Sequence, residues 1–156
     1  MRVIIACFSI PPSFSPWYTL GMTLFEKIVA GEIPCYKIYE DADVFAFLDN
    51  NPHSIGHTLV IPKKPHENLS ELPGDLLGPI MKVCQKIAIK AQDALGADGY
   101  NIVMNNGAVA GQEIFHAHFH VIPRYKGDTR PQIDRPHLGL SAEDFEEVRK
   151  KLVIVG

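Results

Sequence analysis

The chain has 156 residues, 46% of them hydrophobic and 21% charged, with a net charge of -3. That is the balance of one soluble globular domain with a substantial core. It excludes a general electrostatic pull toward nucleic acid or an anionic membrane, so any anionic ligand must be held by local geometry.

The first twenty-one residues stand apart. Arg2 precedes a short apolar run, Val3 to Ile10, and Pro11-Pro12-Ser13-Phe14-Ser15-Pro16 then breaks regular structure. The run is too short to span a bilayer and makes a poor signal peptide. Residues 1–21 read as a dispensable extension ahead of one domain over 22–156, with a weak export signal as the alternative. Thr23 to Val29 reads as a short helix with Thr23 as N-cap and Gly31 near its end. Tyr36 to Glu40 and Val44 to Leu48 read as strands around an Asp41-Ala42-Asp43 turn, and His57 to Ile61 as a third strand stopped by Pro62. Leu76, Leu77, Ile80, Val83, Cys84, Ile87 and Ala91 have the spacing of a long amphipathic helix within Pro73 to Leu95, regular from about Pro79 and closed by Gly96. Tyr100 to Asn105 and Ile114 to Ile122 read as the fourth and fifth strands. Ser141 opens a last helix, over 141–152, with acids in its first turn and Arg149-Lys150-Lys151 in its last. These elements predict an α+β domain, an antiparallel sheet of about five strands with one long and one or two short helices. Cys7, Cys35 and Cys84 form no Cys-x-x-Cys pair, which argues against a disulfide framework and for a reducing, cytoplasmic setting. Cys84 reads as a small core residue.

The chemistry concentrates in His116-Ala117-His118-Phe119-His120-Val121-Ile122. In an extended strand His116, His118 and His120 share one face and Ala117, Phe119 and Val121 the other. The apolar face can pack on a core, and the histidine face must then meet solvent, a metal or a ligand. Three readings stay open: a partly exposed strand face, a zinc or copper site, and catalysis in which one imidazole attacks. Asn105-Asn106-Gly107-Ala108-Val109-Ala110-Gly111-Gln112 can point several N–H groups at one anion, or can be an ordinary turn. His57, in Gly56-His57-Thr58-Leu59-Val60-Ile61-Pro62-Lys63, is a fourth candidate imidazole.

Gly-His-Thr-Leu-Val-Ile-Pro-Lys, then Asn-Asn-Gly-x-x-x-Gly-Gln, then His-x-His-x-His-x-Ile-Pro-Arg, in this order, resembles the histidine-triad (HIT) superfamily, nearest its small bacterial Hint-like branch. The match runs from about Thr23 to Lys126, and Phe25 to Pro34 and Val44 to Asp49 resemble the family's opening. The resemblance implies a HIT-like fold and a nucleotide hydrolase or transferase acting on an α-phosphate. His118 would be the nucleophile and form a nucleotidyl-histidine intermediate. His116 would orient it, and His120 and His57 would approach the phosphate oxygens or the leaving group. Asp49 would bind the ribose hydroxyls, while Asn105, Gly111, Gln112 and the backbone near Glu113 would lie along the phosphate. A purine nucleotide or conjugate as ligand, a homodimer, no cofactor and no obligatory metal are also implied. The substrate would be a nucleoside phosphoramidate; a dinucleoside polyphosphate hydrolase and a nucleotide-binding module with little turnover are the alternatives.

The physics of the residues is compatible. An imidazole with a pKa of about 6.5 is largely neutral at cellular pH and has a ring nitrogen free to attack. N–H donors and protonated imidazoles can stabilise the charge on a transferring phosphoryl group. A carboxylate can accept from two vicinal hydroxyls, although Asp49 is also a natural strand-end turn residue. Two departures from the family stand out. Thr23-Leu24-Phe25-Glu26 occupies the place where some relatives carry a Cys-x-x-Cys for structural zinc. Glu113 stands where well-known Hint members have serine, so it can repel a phosphate or hold an amine leaving group. His66 has no expected catalytic role.

Overall fold

A computed structural model describes residues 21–128 and 138–155. All but Gly21 of the expected N-terminal extension lies outside the described residues. The elements are α1 (Leu24–Val29), β1 (Lys37–Glu40), β2 (Val44–Leu48), β3 (Thr58–Pro62), α2 (Gly74–Leu95), β4 (Gly99–Val103), β5 (Phe119–Arg124) and α3 (Ala142–Leu152). The strands form one antiparallel sheet in the order β1-β2-β3-β5-β4.

Each face of the sheet is covered by helix. On one face Val44, Ala46, Leu48, Val60, Phe119 and Val121 meet Ile80, Val83, Cys84, Ile87 and Ala91 of α2 and Phe145, Val148 and Leu152 of α3. The other face carries a smaller cluster in which Phe25 and Ile28 of α1 meet Phe45, Phe47, Leu59 and Ile61. β2 and β3 are therefore buried throughout, which accounts for their near-continuous apolar sequence. The β1–β2 turn is closed by Asp41, whose Oδ1 accepts from the N–H groups of Asp43 at 2.9 Å and Val44 at 2.7 Å.

Three expectations need correction. The long helix begins at Gly74 and runs through Pro79. At that place near the exposed start of the helix the missing N–H removes one intrahelical bond, to the carbonyl of Asp75. β4 ends at Val103, not Asn105. The last strand starts at Phe119, so His116 and His118 lie ahead of it. Their backbone is tied elsewhere: the Ala117 N–H donates to the His66 carbonyl at 2.6 Å, and the His116 N–H to Ile114 at 2.9 Å. The alternation of faces survives nonetheless, because Ala117, Phe119 and Val121 all pack in the α2 cluster.

Gly56 brings β3 into place. It has φ +86°, and a Cβ there would lie 2.7 Å from Leu95 Cδ1 and 3.3 Å from both Leu152 Cδ1 and Pro123 Cγ. Both backbone strain and overpacking oppose any side chain, directly before His57. Gly56→Ala should destabilise the fold by about 2–4 kcal/mol, read as a fall in the urea midpoint. Gly31→Ala, with φ +77° but no atom near its Cβ, should cost only about 1–2 kcal/mol. Equal losses would show that contact at Gly56 is immaterial.

Candidate active site

The site lies where β3 and β5 run side by side, with Leu59 opposite His120. The protons of its four histidines can be placed from their partners. His118 Nδ1 is 2.7 Å from the carbonyl of His116. A carbonyl only accepts, so Nδ1 carries the hydrogen, and in the neutral ring Nε2 is left with a lone pair. His116 Nε2 is 2.8 Å from the Pro62 carbonyl and therefore donates to it. Its Nδ1 then accepts, at 3.0 Å, from the Thr23 hydroxyl. His57 Nδ1 accepts from the His53 backbone N–H at 3.2 Å. Its Nε2–H consequently points to His120 Nδ1, 2.9 Å away, which places the remaining hydrogen of His120 on Nε2. The outcome is an adjacent pair, a lone pair on His118 and an N–H donor on His120, with ring centroids 5.0 Å apart.

Burial enforces this neutral pattern. His57 and His116 are 1% and 0% exposed and His118 is 7% exposed. Desolvation holds the pKa values of His116 and His118 below the usual 6.5. It does the same for His120, aided by His57 and His118, down to about 3. With their pKa values held down in this way, these rings are disposed to act as neutral donors and acceptors. The reading of a partly exposed strand face is not met at two of the rings. Phe25 of α1 presses edge-on against His116 and His118 at centroid distances of 5.7 and 5.2 Å, and His116 is sealed beneath it.

Asp49 directly follows β2, beside this pair. Its Oδ1 accepts from the Asn51 N–H at 2.9 Å and its Oδ2 lies 3.6 Å from His57 Nε2. The carboxylate is at once a turn residue and a site residue, since it also weighs on His118 and His120. Glu113, exposed at the rim, weighs on His118 as well.

Asn105, Gly111 and Gln112 brace the loop that carries Glu113. Gln112 is 3% exposed; its Oε1 accepts from the Gly107 N–H at 2.7 Å, and its Nε2 donates to the carbonyls of Glu67 at 2.6 Å and Ile114 at 3.1 Å. Asn105 Nδ2 donates to the Gly111 carbonyl at 3.3 Å. The N–H groups of Ala110, Gly111 and Gln112 bond to carbonyls of the same loop. The expected nest is thus largely self-satisfied, because two glycines with φ +86° fold the loop back on itself. Sequence reasoning missed Thr23 and Phe25 as neighbours of the triad and His53 as the donor to His57. Thr23-x-x-Glu26 announces only a helix cap, and a backbone N–H donor leaves no trace in residue type.

Asp49, His57 and His120 offer ligand atoms within 4.8 Å of one another. The proton pattern opposes a resident cation there. His57 could coordinate through Nε2 only by moving its hydrogen to Nδ1, against the N–H of His53. The place of the zinc-binding Cys-x-x-Cys is filled by a reciprocal cap, in which Thr23 accepts from the Glu26 N–H and Glu26 from the Thr23 N–H.

Neutral buried imidazoles make the fold sensitive to acid. As pH falls through about 6.5 the unfolded chain takes up protons that native His116, His118 and His120 still refuse, so stability present above that pH is lost below it. Each such ring contributes a slope of about 1.4 kcal/mol per pH unit in that range. Melting temperature should be flat from pH 8 to 7 and fall between about 6.5 and 5, above the range where Glu40 and Asp41 protonate. A constant melting temperature down to pH 5 would contradict the neutral cluster.

Comparison with known proteins agrees with this fold. A family model described as the HIT domain matches residues 30–127. An uncharacterized HIT-like protein of Methanocaldococcus jannaschii is 55% identical over 107 residues, 69% of this chain and 82% of that protein. An adenosine 5'-monophosphoramidase of Schizosaccharomyces pombe is 37% identical over 133 residues, 83% of this chain and 97% of that protein. A zinc-bound histidine triad family protein from Mycobacterium smegmatis superposes with a TM-score of 0.72 at 39% identity, covering 82% of this chain and 91% of its own. The fold, the ordered motifs and these likenesses together place the chain in the HIT family.

Proposed function

We propose that the protein is a nucleotidyl hydrolase that cleaves nucleoside phosphoramidates through a covalent intermediate on His118. The observation that carries this reading is the fixed tautomer of His118, whose Nδ1–H is spent on the His116 carbonyl. Its Nε2 lone pair attacks the α-phosphorus. The P–N bond breaks, and the nitrogen keeps the electron pair, takes a proton and departs as the amine. Water then attacks phosphorus, the lone pair returns to Nε2, and the proton that water loses replaces the one the amine carried away. The Nε2–H of His120 and the N–H near Glu113 donate to the phosphoryl oxygens, which suits a site where preformed dipoles replace water. His57 holds His120 in the donating tautomer, and Asp49 receives the ribose hydroxyls. The similarity to an adenosine 5'-monophosphoramidase favours a purine nucleotide.

Rapid quench of the wild type with a nucleoside phosphoramidate, followed by intact-mass measurement, should show a nucleotide-sized adduct, and His118→Ala should show none with turnover reduced at least about a thousandfold. Undiminished turnover by His118→Ala would overturn the assignment.

The charges around the nucleophile favour an amine leaving group over a polyphosphate. The carboxylates of Asp49 and Glu113 weigh on His118. Two of the cations nearest the ends of β3 and β5 are engaged elsewhere, Lys63 with Glu40 at 2.8 Å and Arg124 with Asp128 at 3.2 Å. A leaving group with several negative charges would meet repulsion at Glu113, whereas an amine or ammonium would not. Glu113→Lys should move the ratio of kcat/KM values for a diadenosine polyphosphate and a phosphoramidate at least about tenfold toward the polyphosphate, about 1.4 kcal/mol of discrimination. An unchanged ratio would remove Glu113 from leaving-group selection.

The reading includes a homodimer in a cytoplasmic setting. β4 is an edge strand, Tyr100 on it is 45% exposed, and α2 shows Leu77, Met81 and Ile89 to solvent. Asn101 Oδ1, also on β4, is buried without a hydrogen-bond partner. A second copy on this edge would cover the unpaired backbone and the apolar residues together. Sedimentation equilibrium at micromolar concentration should give twice the chain mass; a monomer would dismiss the dimer. Among the described residues no helix is long and apolar enough to cross a membrane.

A further inference from the structure

The N-terminus of α1 does more than begin a helix. Thr23 Oγ1 accepts from the Glu26 N–H at 3.2 Å and lies 3.0 Å from His116 Nδ1. The other end of that ring is fixed by the Pro62 carbonyl. The Pro62 carbonyl forces the hydrogen onto Nε2, so Nδ1 can only accept and the Thr23 hydroxyl can only donate. Thr23 is thus aligned by one bond received and one bond given. His116, held at both ring nitrogens and wholly buried, presents its own carbonyl to His118 Nδ1 at 2.7 Å. Within the first turn of the same helix, Phe25 touches both rings.

We propose that Thr23 is a positioning residue for the nucleophile: its hydroxyl locks the His116 ring, and through it the carbonyl that sets the tautomer and aim of His118. The hydroxyl makes no contact with the reacting atoms and acts only through His116. Its effect on rate rests on the reaction proposed above, whereas its effect on the histidine tautomers does not.

Two substitutions separate this clamp from the helix cap. Thr23→Val keeps the shape and removes the hydroxyl. Thr23→Asp keeps a good N-cap acceptor but replaces the donor facing His116 Nδ1 with an acceptor. Thr23→Ser retains the hydroxyl and should behave like the wild type. Glu26→Ala breaks the reciprocal half of the cap and leaves the Thr23–His116 bond in place. Long-range ¹H–¹⁵N spectra of the ligand-free full chain should show His116 with Nε2–H and His118 with Nδ1–H, each as a single tautomer. Thr23→Asp should turn His116 to a protonated pattern, whereas Thr23→Val should keep its Nε2–H on the Pro62 carbonyl but shift its Nδ1 signal; both should disturb the His118 signals, while Glu26→Ala should not. With a nucleoside phosphoramidate, both Thr23 variants should lose about tenfold or more in kcat with KM changed less than about twofold, as expected for misplacement of an attacking group. Glu26→Ala should lose stability but little kcat.

The proposal is overturned if Thr23→Asp melts lower yet leaves His116 in its wild-type tautomer, if Thr23→Val leaves the His116 Nδ1 and the His118 signals unmoved, or if Glu26→Ala depresses kcat as much as they do. Should Thr23→Val fail to fold, Thr23→Asp decides the question from a capped helix. If the wild type does not turn the substrate over, the reaction assignment fails, and the spectra alone still decide the clamp.

Discussion

The bond from His118 Nδ1 to the carbonyl of His116, two residues back, is the constraint around which this molecule is arranged. It settles which nitrogen of the candidate nucleophile is bare. It exists because residues 114–118 leave the regular strand path and tie their backbone to Ile114 and His66. An ideal strand would have spent these carbonyls on its neighbours. The site therefore stands where the sheet ladder stops, one residue before β5 begins.

Much of the architecture is legible in residue pattern. β2 appears with the bounds its apolar run suggests, and the alternation of Ala117, Phe119 and Val121 identifies the core-facing side even where the strand has not yet begun. The clustering of His57 with His120 follows from adjacent strands in register. What is illegible depends on burial and on backbone partners. Nothing in His-x-His-x-His says that α1 will cover two of the rings, or that Gln112 will turn inward and use both ends of its amide on the loop. The long helix starts earlier than its proline suggests because a proline near the exposed end of a helix removes one bond rather than breaking the whole element.

The four imidazoles also show how a buried polar cluster is tolerated without counter-charge. Each of these bonds pairs opposite polarities: hydrogens meet carbonyls or, at His120, another ring's lone pair, and lone pairs meet a hydroxyl, an amide or, from His57, a ring N–H. Paired in this way, neutral rings avoid the penalty of an orphaned polar group. Polarity is handed along two separate lines, one from Thr23 to Pro62 through His116, the other from His53 to His120 through His57. The second line ends on the Nε2–H of His120, beside the lone pair that the His116 carbonyl leaves on His118, the acceptor and donor that the proposed displacement at phosphorus would use.

The inward amide of Gln112 has a consequence for how ligands arrive. Because it closes the Asn105–Glu113 segment on itself at Gly107 and ties it to Glu67 and Ile114, that side of the candidate site is braced before anything enters. An incoming molecule forfeits little freedom to shape it, and gains little by adapting it. Discrimination then falls on the fit of the visitor's own contour and charge, as with a cast die, and homologues that alter the staple would be expected to differ in promiscuity before they differ in rate.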